Sequence, residues 1–426
     1  MLRSNLPSNP FPAIRLATVH LPRPSLLRSA LPALASLILL AASTGCRRSH
    51  FPDVPAGYHE YAYVTNGSSN TVSVLDIVNL RQDRTLQVGL NPSGVAANPL
   101  RNEVYVVNSG SSTVSVINAS ANRIVATIPV HRLPYFISVE PSGHRAFVAN
   151  SGSNSVSVID LDHRHEIAVA GTGEQPGLAR ISPDMRSLVV TNRGSNSVSI
   201  FSVAPYEDVP HPGPILHLRA AFPGCPGATD ATILPDSSKA FIACSSGHQV
   251  MAINLSAAPG SWAARQDPAL TTDHILTLLD VGLTPVHLAL KPDGGEIFVS
   301  NFGSDSISEI STWTNEVLGT YTIGSKPVQG IVSSDNSTLW VANFGADLIS
   351  IYSIDDGKLV ATVHTGSAPD ALAFSADEHL LLATDARSGD VAVIRTQGKQ
   401  GPALFTILPA GGSPNAIAVK AIANHP

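Results

Sequence analysis

Between Tyr61 and Arg395 one short pattern returns eight times. It reads YAYVTNGSSNTVSVLD from Tyr61, EVYVVNSGSSTVSVIN from Glu103, RAFVANSGSNSVSVID from Arg145 and SLVVTNRGSNSVSIFS from Ser187. AFIACSSGHQVMAIN, EIFVSNFGSDSISEIS, TLWVANFGADLISIYS and LLLATDARSGDVAVIR follow. The apolar first half of each copy closes on Asn66, Asn108, Asn150 and Asn192, each 42 residues after the last, then on Cys244, Asn301, Asn343 and Asp385. A fixed period of this length means stacked copies of one small unit, none of which can bury its apolar surface alone.

Each unit reads as four strands. A Pro-opened corner leads into strand A, a tight turn into strand B with its V-x-N ending, and a Ser/Gly/Asn turn into the V-S-V alternation of strand C. A run such as RIVATIPV then forms strand D. No segment keeps a period of 3.6 between turn signals, so helices are excluded as the framework. Four antiparallel strands per unit at this period predict an all-β propeller blade. Eight B strands are matched by eight corners, at Pro92, Pro134, Pro176, Pro226, Pro285, Pro327, Pro369 and Pro414. The chain therefore starts on a strand B and ends on a strand A, GSPNAIAVK, expected to pair into the first blade and close the ring. Eight blades are expected, or seven if the irregular stretch from Pro205 to Asp280 supplies one blade rather than parts of two.

The repeated V-x-N, with Y-V-T-N intact from Tyr63 to Asn66, resembles the YVTN family of β-propeller repeat proteins over roughly residues 60–420. That resemblance implies a surface-layer-like or periplasmic propeller, although the family's propellers commonly have seven blades. It implies little chemistry, because similar propellers serve as binding proteins, as lactonases and as parts of redox enzymes.

Composition agrees. Hydrophobic residues make up 43% of the chain and charged residues only 14%, so the surface falls to Ser, Thr, Asn and Gly in many short turns. With 26 basic residues and a net charge of −6, no basic field exists for nucleic acid.

Residues 1–46 read as an export signal. Arg3, Arg15, Arg23 and Arg28 precede an apolar stretch from Leu31 to Ala42 that is too short for a stable membrane anchor. Ala41-Ala42-Ser43-Thr44-Gly45-Cys46 resembles a lipobox, which implies a lipid on Cys46, with Ser43 standing where Leu is usual. Simple cleavage nearby, or an uncleaved anchor, are the alternatives. Residues 47–60 read as a tether and residues 61–426 as one propeller domain. The expected location is the outer membrane, facing periplasm or exterior, or else a soluble periplasmic or secreted form. Arg47 lacks the Asp that would retain a lipoprotein at the inner membrane.

Cys225 and Cys244 then remain as an even pair in an oxidising space, at ends of strands A and B that antiparallel pairing puts together. A disulfide is expected there, with two buried free thiols as the alternative. The repeated Asn residues are expected to serve the turns, through left-handed backbone and side-chain bonds, rather than a ligand.

Alternation along strand A is expected to send one set of residues between blades and the other into the central channel. The channel set is mostly Ala and Gly, with Arg180, Asp230, His287 and Gln329 as polar exceptions, and Asp370 and Asn415 at the mouth. These six are the candidate binding residues; a structural role beside channel water is the competing reading. The run Asp162 to Glu166 falls on an outer turn. Haem-attachment, zinc-hydrolase, nucleophile-elbow and phosphate-loop motifs are missing, and neither cofactor nor metal is implied. The reading that follows is a non-enzymatic envelope propeller that binds a protein, peptide or glycan. The alternative is a lactonase-like hydrolase or an accessory subunit of a periplasmic redox enzyme.

Overall fold

The computed structural model describes residues 57–206, 213–398 and 401–422. The leader, Cys46 and the tether up to residue 56 lie outside them. Among the described residues the strands form eight four-stranded antiparallel sheets. Blade 1 is built from β1 (His59–Asn66), β2 (Thr71–Asp76) and β3 (Arg81–Gln87), completed on its inner side by β32 (Pro414–Ile422). The inner strands of blades 2 to 8 are β4 (Pro92–Ala97), β8 (Pro134–Val139), β12 (Pro176–Ile181), β16 (Ala228–Ile233), β20 (Pro285–Leu290), β24 (Pro327–Val332) and β28 (Pro369–Phe374). The expected eight blades and C-terminal closure are both present. The irregular stretch contributes to blades 4 and 5, its extra length forming an outer C–D connection in blade 5 with a short helix, α1 (Trp262–Gln266).

Strands B and C carry near-continuous apolar runs because both faces of a blade are covered by its neighbours. Strand B of blade 3, Arg145–Asn150, shows the division. Phe147 and Ala149 pack against Ala179, Leu188 and Val190 of blade 4, while Ala146 and Val148 pack against Tyr105, Val114 and Val116 of blade 2. The core is thus a circle of inter-blade layers.

The same geometry corrects the expected split of strand A. Both registers point round the ring: Ile137 packs on blade 2, whereas Leu178 of blade 4 packs with Ala228 and Ala231 of blade 5. A Cβ at Gly94 would meet the Tyr135 carbonyl oxygen of the next blade at 3.1 Å. Side chains leave a sheet along its normal, and these sheets stand edge-on to the axis, so the channel sees strand edges and only partly the side chains.

The repeated Asn residues also work differently from expectation. They do not take left-handed backbone; that conformation falls four residues later, at Asn70, Ser112, Asn154, Asn196, His248, Asp305 and Asp347. Each Asn side chain reaches across to strand C. The Nδ2 of Asn66 donates to Thr71 and Ser73, and Asn108, Asn150, Asn192 and Asn301 repeat the bonds five and seven residues on. The left-handed residue meanwhile ties the next corner, as where Asn70 Oδ1 accepts from the Asn91 amide and Asp347 Oδ1 from Ala368. Blade 5 has Gln249 and Met251 where blades 1, 2, 3, 4 and 6 carry two hydroxyls, and Cys244 in the Asn slot. There the Cys225–Cys244 disulfide takes over, joining two fully buried sulfurs.

Candidate functional site

Three of the six candidate residues converge on the inner strands of blades 4, 5 and 6. Arg180 Nη2 lies 3.7 Å from Asp230 Oδ1, and His287 Nε2 lies 3.8 Å from Asp230 Oδ2. Asp230 is the buried hub, its oxygens accepting from its neighbour Ala231 and from the Leu288 amide one blade on, each at 2.9 Å. Arg180 stacks over Phe136 at 5.6 Å, its side chain 39% exposed, and its Nε is buried without a hydrogen-bond partner.

Asp230, His287 and Gln329 occupy the same register position in consecutive blades and perform the same task. Each accepts from a backbone amide of the following inner strand: Asp230 from Leu288, His287 Nδ1 from Gly330 at 3.4 Å, and Gln329 Oε1 from Leu372 at 2.9 Å. Blades 5, 6, 7 and 8 are thereby tied at their inner edges. Burial pushes the His287 imidazole below its ordinary range, Asp230 opposes this and Arg180 adds to it. A neutral ring that accepts at Nδ1 carries its proton on Nε2, facing Asp230.

Asp370 and Asn415 stand apart from this cluster. Asn415 accepts from Thr65 Oγ1 and donates to the Pro92 carbonyl, joining blade 1 to blade 2. Asp370 has neither hydrogen-bond nor ion-pair partner among the described residues, and burial pushes its carboxyl up to about 6. On the outer C–D turn, Asp162 is held by Arg101, His144 and Tyr206. Among the described residues there is no group of three or more His, Cys, Asp or Glu side chains arranged to hold a metal ion.

At the mouth of the channel, sequence reasoning missed the residues that follow the repeated Asn. In every blade the residue after the repeated Asn position donates its amide to the carbonyl of the residue immediately before strand A; examples are Gly67 to Ser413, Arg193 to Gln175, Phe302 to Thr284 and Phe344 to Lys326. This ring of positions comprises Gly67, Ser109, Ser151, Arg193, Ser245, Phe302, Phe344 and Ala386. Its three large members were visible as departures from Ser and Gly in the repeat.

Comparison with known proteins agrees with the fold. A family model described as lactonase, seven-bladed β-propeller, matches residues 312–417, about a quarter of the chain, from the C–D turn of blade 6 into β32. No curated protein matches the chain. Among solved structures, dihydro-heme d1 dehydrogenase NirN in complex with DHE is 14% identical, with a TM-score of 0.67 over 88% of this chain and 78% of that one. A candidate 6-phosphogluconolactonase from Bacteroides fragilis is 16% identical, with a TM-score of 0.57 over 75% of this chain and 98% of that one. Apo AztD from Citrobacter koseri is 12% identical, with a TM-score of 0.63 over 86% and 99%. The protein is thus an eight-bladed β-propeller, part of which resembles a lactonase family model described with seven blades.

Proposed function

We propose that the chain acts on a small anionic ligand in its central channel, and that the reaction is the hydrolytic opening of a lactone. The carrying observation is Arg180, a half-exposed guanidinium with an unsatisfied Nε among inner strands otherwise lined largely by small residues. An anion there gains a charge-assisted hydrogen bond in a partly dehydrated site. Asp230 and His287 are committed to backbone amides and act as positioning residues. Asp370, at the mouth on blade 8, without a partner among the described residues and with a carboxyl that burial raises to about 6, is on this reading the group that takes a proton from water. The partial match to a lactonase family model supports this choice of chemistry.

A second reading, binding of an envelope partner without catalysis, is favoured by one observation. Both His287 ring nitrogens are engaged, so the Arg180 cluster itself holds no free base. Export with a lipid on Cys46 belongs to either reading; mass spectrometry of the mature N-terminus tests it, and an unmodified N-terminus elsewhere removes it.

The deciding experiment measures acid release from a panel of sugar lactones, one phosphorylated, together with calorimetric binding. Hydrolysis is expected, with turnover reduced at least ~100-fold in Asp370→Asn and KM raised about tenfold in Arg180→Gln. Binding lost in Arg180→Gln but without turnover selects the second reading. No binding by any lactone or its open acid removes the channel site.

A further inference from the structure

The mouth of the channel carries a feature that the Arg180 cluster does not use. Arg193 Cζ lies 5.2 Å from the ring centre of Tyr135, the second residue of β8. Its Nη2 also sits 2.9 Å from where a Cβ on Gly177, the second residue of β12, would be, so the guanidinium spans two adjacent inner strands at the rim. Phe302 and Phe344 hold the position of Arg193 in blades 6 and 7, and each ring is covered by a cation: Lys326 Nζ at 5.7 Å and Arg387 Cζ at 5.5 Å. None of Arg193, Lys326 and Arg387 makes an ion pair or side-chain hydrogen bond among the described residues, and all three are exposed.

An unpaired cation on an aromatic face is held in place by the ring while its own hydrogen-bond donors remain free. Three such pairs on one rim, with Tyr135 46% exposed and Phe302 and Phe344 half-buried, present flat apolar surface and positive charge together. In the ring of eight, blade 3 with Tyr135 stands opposite blade 7 with Phe344. The second residues of the inner strands on blades 6 and 7 are the half-buried Val286 and Val328, and Asp370 is the lone carboxylate at that level.

We propose that this rim is a second binding site, separate from the Arg180 cluster, for a small molecule with a flat conjugated body and at least one anionic substituent. The body lies against the Phe302 and Phe344 faces, and the anion takes the free donors of Lys326 or Arg387.

The test titrates the full chain with anilinonaphthalene sulfonate, a flat anion that fluoresces on leaving water, and with uncharged N-phenylnaphthylamine as the control. One saturable site is expected for the anion, weakened about fivefold by Arg387→Gln and by Phe344→Ala, at least about tenfold weaker for the neutral dye, and unchanged in Arg180→Gln. Phe344→Leu keeps most of the volume but removes the aromatic face, and should weaken binding even if Phe344→Ala unfolds. The proposal is overturned if the mouth variants bind like the parent, if the neutral dye binds equally well, or if no saturable site exists. Loss of the dye in Arg180→Gln would instead put it in the deeper channel, overturning the rim site while leaving the channel reading intact.

Discussion

Replacing Asp385 by Asn should stabilise the protein, and do so only at neutral and alkaline pH. Asp385 stands where seven other blades have Asn or Cys, is fully buried, and faces Asp390 across the B–C pair where the others place Ser, Thr, Leu or Gln. Its Oδ2 accepts from the Gly366 amide at 3.0 Å, and no N–H or hydroxyl among the described residues donates to Oδ1. Burial first, and then the hydrogen bond with Asp390, push the Asp385 carboxyl from its ordinary 3.8 up to about 7. Between those values the folded chain keeps a proton that the unfolded chain has released, so stability falls as pH rises through that window and levels off above it. At about 1.4 kcal/mol per pH unit the loss approaches ~4 kcal/mol. An Asn amide keeps the bond from Gly366, donates to Asp390 as the other blades' Asn residues donate to hydroxyls, and carries no charge. Urea denaturation followed by circular dichroism should give Asp385→Asn an advantage of roughly 2 to 4 kcal/mol near pH 8, and under about 1 kcal/mol near pH 4. An advantage that is equal at both pH values would refute the reasoning, since it would then come from packing rather than from a shared proton.

Other outcomes follow from the same architecture. Cys225→Ala with Cys244→Ala, closing no loop where the native chain spans 19 residues, should cost about 3 kcal/mol and lower the melting temperature; a melt unaffected by reductant in the native protein would contradict this. Arg145→Ala leaves the Glu140 carboxylate, fully buried and bonded to Arg145 Nε at 2.9 Å, without its cation, and should cost about 3 to 5 kcal/mol by denaturant titration. Removal of residues from Pro414 onward should leave β1 as an open edge and give associating material by size-exclusion chromatography; a monomer with native circular dichroism would count against ring closure as a stabilising device.

The fold was largely readable because the repeat is punctuated. Proline corners and V-x-N endings count strands directly, and the two counts agreed on eight and pointed to Pro414 as the start of the closing strand, with only the irregular stretch from Pro205 to Asp280 leaving seven open. The Cys225–Cys244 pairing followed from antiparallel strand ends. The site was less legible, for a physical reason. Alternation tells which residues share a face, but only the ring tells what that face meets. Asp230, His287 and Gln329 looked like channel exceptions, yet each reaches a backbone amide 43 to 58 residues later in the chain. The role of Asp385 was written in the repeat, as an acid in an amide slot with a second acid five residues on. The rim of Arg193, Phe302 and Phe344 was equally visible, but its proximity to the channel depends on a corner hydrogen bond that strand patterns do not reveal.

The joining of β32 to β1 also sets a timetable. Thr65 and Asn415, hydrogen-bonded in blade 1, are separated by 350 residues, so the first blade to be synthesised is the last that can be finished. Blades 2 to 8 draw all four strands from consecutive sequence and can form as the chain emerges, whereas β1 must wait with an unpaired inner edge until the C-terminal strand arrives. A partner that covers β1 during this interval, or a slow final docking phase absent from the local blades, is the kinetic consequence of closing a ring by its two ends.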